Sequence, residues 1–149
     1  TSVSGLAFAD QAVSYPFNGS FDGATFGVET AIVGRGLVID YVSHTGEMLE
    51  RTREDVGSDV TLFSGADIFL FCSASLSRKV MEADPMNIAH CPYGVFVTEQ
   101  DGSVMIGYRT YPDGEMQQVH RRAGYLWLAP DAIGVLDAGV AVAVAVPNL

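Results

Sequence analysis

Ile68-Phe69-Leu70-Phe71-Cys72, Tyr93-Gly94-Val95-Phe96-Val97-Thr98 and Val104-Met105-Ile106-Gly107-Tyr108 are three apolar, β-rich runs whose order and spacing decide the fold. From Ala66 to Cys72 nearly every position is apolar, which predicts a central strand covered on both faces. Gln100-Asp101-Gly102-Ser103 separates the second run from the third, and an Asp-Gly pair suits a two-residue type I′ turn because both central residues need positive φ. These two runs therefore form a hairpin. Between the first two runs, Ser73 or Ser75 starts a helix through Leu76, Val80 and Met81, and Asp84-Pro85 breaks it.

Working back towards the N-terminus, Leu37-Val-Ile-Asp-Tyr-Val42 is a further strand. Ser43 or Thr45 caps a helix from Glu47 to Val56, with Met48, Leu49, Thr52 and Val56 as its apolar stripe. Glu50, Arg51, Arg53, Glu54 and Asp55 make its solvated, salt-bridged face, and Gly57 stops it. Val13, Tyr15 and Phe17 alternate as a short strand closed by Asn18-Gly19. Ser20 or Asp22 then caps a helix from about Gly23, on which Phe26, Ile32 and Val33 are spaced for one buried face and Gly34 and Gly36 end it.

A chain of 149 residues fits one domain and buries about two thirds of its unfolded surface. Lys+Arg 8 against Asp+Glu 18 leaves a net charge of −10, which repels phosphate backbones and anionic headgroups. Nucleic acid is excluded as a partner on that ground, and a basic protein surface is the complementary expectation. Residues 1–11 read as the tail of a secretory signal or a free N-terminus. Ala7 and Ala9 stand in the A-x-A arrangement before Asp10-Gln11, which points to a periplasmic or otherwise exported chain.

Residues 124–149 form an apolar segment with Asp131 and Asp137 as its charges, ending in Val140-Ala-Val-Ala-Val-Ala-Val146-Pro. Its uncharged run is too short for a bilayer, which needs about 20 apolar residues. It reads as a buried strand, a packing tail or a partner-docking patch, with Tyr125, Trp127, Val140, Val142, Val144 and Val146 as the contact residues.

The chain's two cysteines, Cys72 and Cys91, close one strand and open the next. If those strands are antiparallel neighbours, a disulfide is geometrically open, and closing a loop of about 20 residues stabilises by roughly 3 kcal/mol on the chain-entropy estimate. Such a bond fits an exported protein. Two buried thiols, or a soft-ligand site of His90 and Cys91 with Cys72 for a metal, are the alternatives. The chain has no Cys-x-x-Cys and no His-x-x-x-His, so a packed His90 is the plainer reading. His44, next to a helix start, and His120, beside Arg121-Arg122, read as surface residues. Ser73, Ser75 and Ser77 lack the Gly-x-Ser-x-Gly turn of a nucleophile elbow, and no phosphate-cradling glycine loop is present.

Lys79-Val-Met-Glu-Ala-Asp-Pro85, Cys91-Pro92-Tyr-Gly-Val-Phe-Val97 and Asp101-Gly102-Ser-Val-Met-Ile-Gly-Tyr108, with Pro112 beyond, together resemble the domain of unknown function 302 family. Cys72 also looks like a cysteine found in many members, and the resemblance covers about residues 12 to 112. It implies an α+β fold, a single domain built on a curved antiparallel sheet with helices on one face, similar to the TATA-box-binding-protein type. The chain departs from the family at Cys91, where many members carry Leu, and in its apolar tail after His120. These motifs are turn and core residues, and the family offers no agreed catalytic residue to carry over.

The expectation is thus an α+β domain over residues 12–123 that works as a non-catalytic accessory or binding subunit. It would dock on a larger, membrane-embedded or redox assembly through an acidic face and the apolar C-terminal segment, which is also the place for membrane contact. No cofactor is expected in that reading. The competing expectation is a redox or metal-handling protein using Cys72, Cys91 and His90. A third is a small-molecule carrier using the concave side of the sheet.

Overall fold

The computed structural model describes residues 12–34 and 36–109. Strand β1 (Ala12–Phe17) is followed by helix α1 (Phe21–Gly34), β2 (Val38–Ser43), α2 (Thr45–Arg51) and β3 (Gly65–Cys72). Then come α3 (Ala74–Ala83), a 3-10 helix (Pro85–His90), β4 (Tyr93–Gln100) and β5 (Ser103–Arg109). The five strands form one sheet in the order β1-β5-β4-β3-β2, every neighbouring pair antiparallel. This is an α+β single domain, the architecture that the family resemblance implies. Residues 110–149, which include the apolar C-terminal segment, lie outside the described residues.

The hairpin forms as its turn chemistry demands: Gln100 pairs with Ser103, and Asp101 (φ 50°) and Gly102 (φ 78°) both take positive φ. Register then sorts the side chains. Phe69 lies opposite Val95 and Val95 opposite Tyr108, while Val97 lies opposite Ile106. One face of three adjacent strands is therefore apolar, and all five of these residues are buried with Phe71, Tyr93 and Val104. The Phe71 and Tyr93 rings tilt against each other at 6.1 Å.

Helix α1 carries the chain from one edge strand, β1, to the other, β2, and lies against this apolar face as it crosses. Ser20 caps it, its Oγ accepting the Gly23 N–H at 3.0 Å. Ala24, Val28 and Ile32 are fully buried, one residue from each successive turn, as four-residue spacing places them on one stripe. Phe26 and Val33 were expected on that stripe and are instead 71% and 56% exposed. Phe26 sits two positions from both Ala24 and Val28, which rotates it about 200° from each around the helix.

Two further expectations change. Helix α2 is shorter than Glu47 to Val56: it ends at Arg51, turns run to Gly57 (φ 77°), and Met48 and Val56 are exposed. Strand β3 is covered by α1 on its Phe69 and Phe71 side, but Ile68, Leu70 and Cys72 on the other side are half-buried. On the neighbouring edge strand, Val38 and Tyr41, in register with Cys72 and Leu70, are exposed. An unbroken apolar run shows that a strand is internal to the sheet; it does not show what lies over its second face.

Candidate functional site

Strands β2 and β4 finish, and β3 and β5 begin, at one end of the sheet. His44 occupies the single position between β2 and α2, and Asp67 is the third residue of β3. Asp67 shares the inward phase of Phe69 and Phe71, so a carboxylate enters the otherwise apolar face at its end. There it accepts a hydrogen bond from His44 Nδ1 at 2.9 Å. The Asp67 side chain is 15% exposed and that of His44 57%. A carboxylate drawn that far from water needs a partner, and the imidazole supplies one.

The hydrogen bond to Asp67 and then its charge raise the His44 pKa, with Glu47 adding to the effect and burial opposing it. A raised folded-state pKa means that the pair stabilises the fold below the free-imidazole value and that this contribution disappears as pH rises through the folded value. Asp67→Asn should bring the His44 titration, followed by NMR of the ring protons, down towards about 6.5. An unchanged titration midpoint would show that Asp67 does not set the imidazole.

Around this pair lies a groove of about 770 Å³. Phe21, Asp22 and Thr25 from the start of α1 form one wall, and Gly46, Glu47, Glu50 and Arg51 of α2 form the other. Thr61, Phe63 and residues Ser64 to Asp67 complete it. Small residues allow the elements to meet here. A Cβ on Gly46 would stand 2.7 Å from the Ala66 backbone nitrogen, and the Phe21 ring lies 2.9 Å from where a Cβ on Gly65 would be. Glu50 is held by Arg53, whose Nε donates at 3.1 Å.

The cysteines stand at the opposite end of β3. They are thiols with no disulfide between them. Phe71 pairs with Tyr93 as the last rung of β3 with β4. Cys72 closes β3, whereas Cys91 stands two residues before β4 begins, outside the paired strands. Both cysteines therefore stand at one end of the sheet. Burial pushes the Cys72 thiol up from its ordinary pKa, and the charge of Asp40 adds to this. Native Cys72 should accordingly react with a disulfide reagent at pH 7 far more slowly than after unfolding; equal rates would contradict this placement.

His90 is the last residue of the 3-10 helix, and Cys91 follows it, its N–H bonded to the Ile88 carbonyl at 3.1 Å. Among the described residues no three His, Cys, Asp or Glu side chains are grouped to hold a metal ion. Tyr125, Trp127, Val140, Val142, Val144 and Val146 lie outside the described residues. No helix among the described residues is long and apolar enough to cross a membrane.

Sequence reasoning placed His44 on the surface and passed over Asp67. The available signal was a carboxylate one position inside an apolar strand, Ala66-Asp67-Ile68.

The chain matches no curated protein. Among solved structures it is similar to the crystal structure of an uncharacterized conserved protein DUF302 from Bacillus stearothermophilus. The TM-score is 0.54 at 16% identity, over 65% of this chain and 71% of that one, a likeness of fold alone. The family model described as domain of unknown function DUF302 matches residues 13–123. The turn and strand motifs, the five-stranded antiparallel sheet and this match agree: the chain belongs to the DUF302 family.

Proposed function

We propose that the chain is a non-catalytic accessory or binding domain of an exported, membrane-associated assembly, docking through its acidic end and its apolar C-terminal segment. The observation that carries this reading is where the fold collects charge. Asp22, Glu47, Glu50, Glu54, Asp55, Asp59 and Asp101 are all exposed, and each belongs to α2 or to a turn, helix start or connection at the end of the sheet that holds the groove. The cations that α2 and its following turn supply are Arg51 and Arg53, and Arg53 is already paired with Glu50. Such a concentration of one sign steers a basic surface into contact and sets its orientation.

The experiment is capture of the full chain with its native membranes in mild detergent at two salt concentrations, beside the triple charge reversal Glu47→Lys, Glu54→Lys, Asp55→Lys. A partner retained at low salt, weakened at high salt and lost on reversal supports the proposal. A monodisperse chain without a partner, or a partner indifferent to the reversal, rejects it. The redox alternative has less support, because the half-buried Cys72 thiol has a raised pKa, and a thiol protonated at neutral pH is a poor nucleophile.

A further inference from the structure

We infer that the groove between α1, α2 and the start of β3 is a binding site for a free amino acid with an apolar, preferably aromatic, side chain. This goes beyond the docking reading and does not depend on it. At about 770 Å³ the groove has the size of a small-molecule site.

Its charges divide into those already used and those left over. Asp67 is held by His44 and Glu50 by Arg53, so the three of these that line the groove, His44, Glu50 and Asp67, already have partners. Asp22, Glu47 and Arg51 also line the groove and are exposed. None of these three belongs to any of the ion pairs His44–Asp67, Glu50–Arg53 or Arg78–Glu82. The groove therefore offers two carboxylates and one guanidinium, while Phe21 and Phe63, both partly buried, add apolar surface to its lining.

A ligand that answers all three features carries an ammonium, a carboxylate and an apolar body. A simple cation would use Asp22 or Glu47 and leave Arg51 facing it with like charge. A simple anion would use Arg51 and meet the two carboxylates. The zwitterion satisfies both signs, with the guanidinium fork able to hold its carboxylate through two parallel hydrogen bonds.

The test is titration of the full chain with L-phenylalanine, phenethylamine and 3-phenylpropionate, read by calorimetry and by amide NMR shifts. The expected result is saturable binding of L-phenylalanine, with shifts at Phe21, Arg51 and Phe63. Each singly charged analogue should bind at least about tenfold more weakly, the equivalent of losing one charge-assisted hydrogen bond. Arg51→Ala should abolish the advantage of L-phenylalanine over phenethylamine and leave phenethylamine bound at least as tightly as before, since a like charge is removed. Asp22→Asn with Glu47→Gln should bring it down to that of 3-phenylpropionate. All three positions are exposed, so circular dichroism should show an unchanged fold.

No saturable shift up to ligand concentrations on the order of 10 mM would overturn the inference. So would shifts outside the groove, or phenethylamine binding as tightly as L-phenylalanine, which would reduce the site to a cation trap. Partner capture by the acidic end is measured separately, so failure of either idea leaves the other standing or falling on its own result.

Discussion

Ile32→Ala should lower the unfolding free energy by about 2–5 kcal/mol. Ile32 is 0% exposed and packs in the cluster that joins α1 to Leu37, Phe69, Phe71 and Val95. Truncation removes three carbons from a site bounded by a helix on one side and a hydrogen-bonded sheet on the other, so little of the void can close. The better helix propensity of alanine returns only a few tenths of a kcal/mol. For a domain of this size the loss is a large share of the total, about 5–15 kcal/mol. Urea denaturation should show a lower midpoint with an unchanged slope.

Phe26→Ala on the same helix is the control. Phe26 is 71% exposed, and its replacement should change stability by no more than about 0.5 kcal/mol. The reverse ranking would mean that α1 presents its Phe26 and Val33 side to the sheet, and the described packing would be wrong.

The second large effect is expected at Gly46. In a helix, Gly→Ala ordinarily stabilises by about 1 kcal/mol. Here an added Cβ would stand 2.7 Å from the Ala66 backbone nitrogen, 3.1 Å from its Cβ and 3.3 Å from its Cα. Ala66 is held in register with Thr98 of β4, so its backbone atoms cannot rotate away as the tip of a side chain would. Gly46→Ala should therefore destabilise by about 1–3 kcal/mol, the sign opposite to propensity. At position 34 a Cβ would meet nothing within 4 Å, and Gly34→Ala should be neutral or stabilising. Thermal melts of the two variants decide the matter. A stabilised Gly46→Ala would mean that α2 does not lie against β3 as described, and the groove would lose its wall.

Local chemistry made much of the fold legible. The Asp101-Gly102 turn, the Ser20 cap and the break at Asp84-Pro85 each depend on groups within a few residues. Asp84 accepts the Met86 N–H at 2.9 Å, starting the 3-10 helix where Pro85 ends α3. The strand order along the chain was equally readable, because β-branched and aromatic runs bounded by turn residues mark strands one at a time.

The site was legible only in part. Glu47, Glu50 and Arg51 were visible as a charged helix face, but not as one wall of a groove whose other wall begins at Phe21. His44 and Asp67 stand 23 positions apart, and they meet because β2 and β3 pair antiparallel with α2 and a long connection folded between them. The cysteines teach the converse. Cys72 does close its strand, but Cys91 caps the end of the 3-10 helix and β4 begins only at Tyr93, because pairing with β3 starts at Phe71 and Tyr93 rather than at the cysteine.

By itself, then, the amino-acid order determined the strands, the hairpin, the acidic balance and the family, since each follows from composition or from neighbours a few positions apart. Tertiary structure decided which stripe of α1 is buried, which carboxylate meets His44, and which glycine lets α2 close on β3. Those outcomes arise where distant segments are brought into contact, and there packing space and strand register, rather than local preference, select the arrangement.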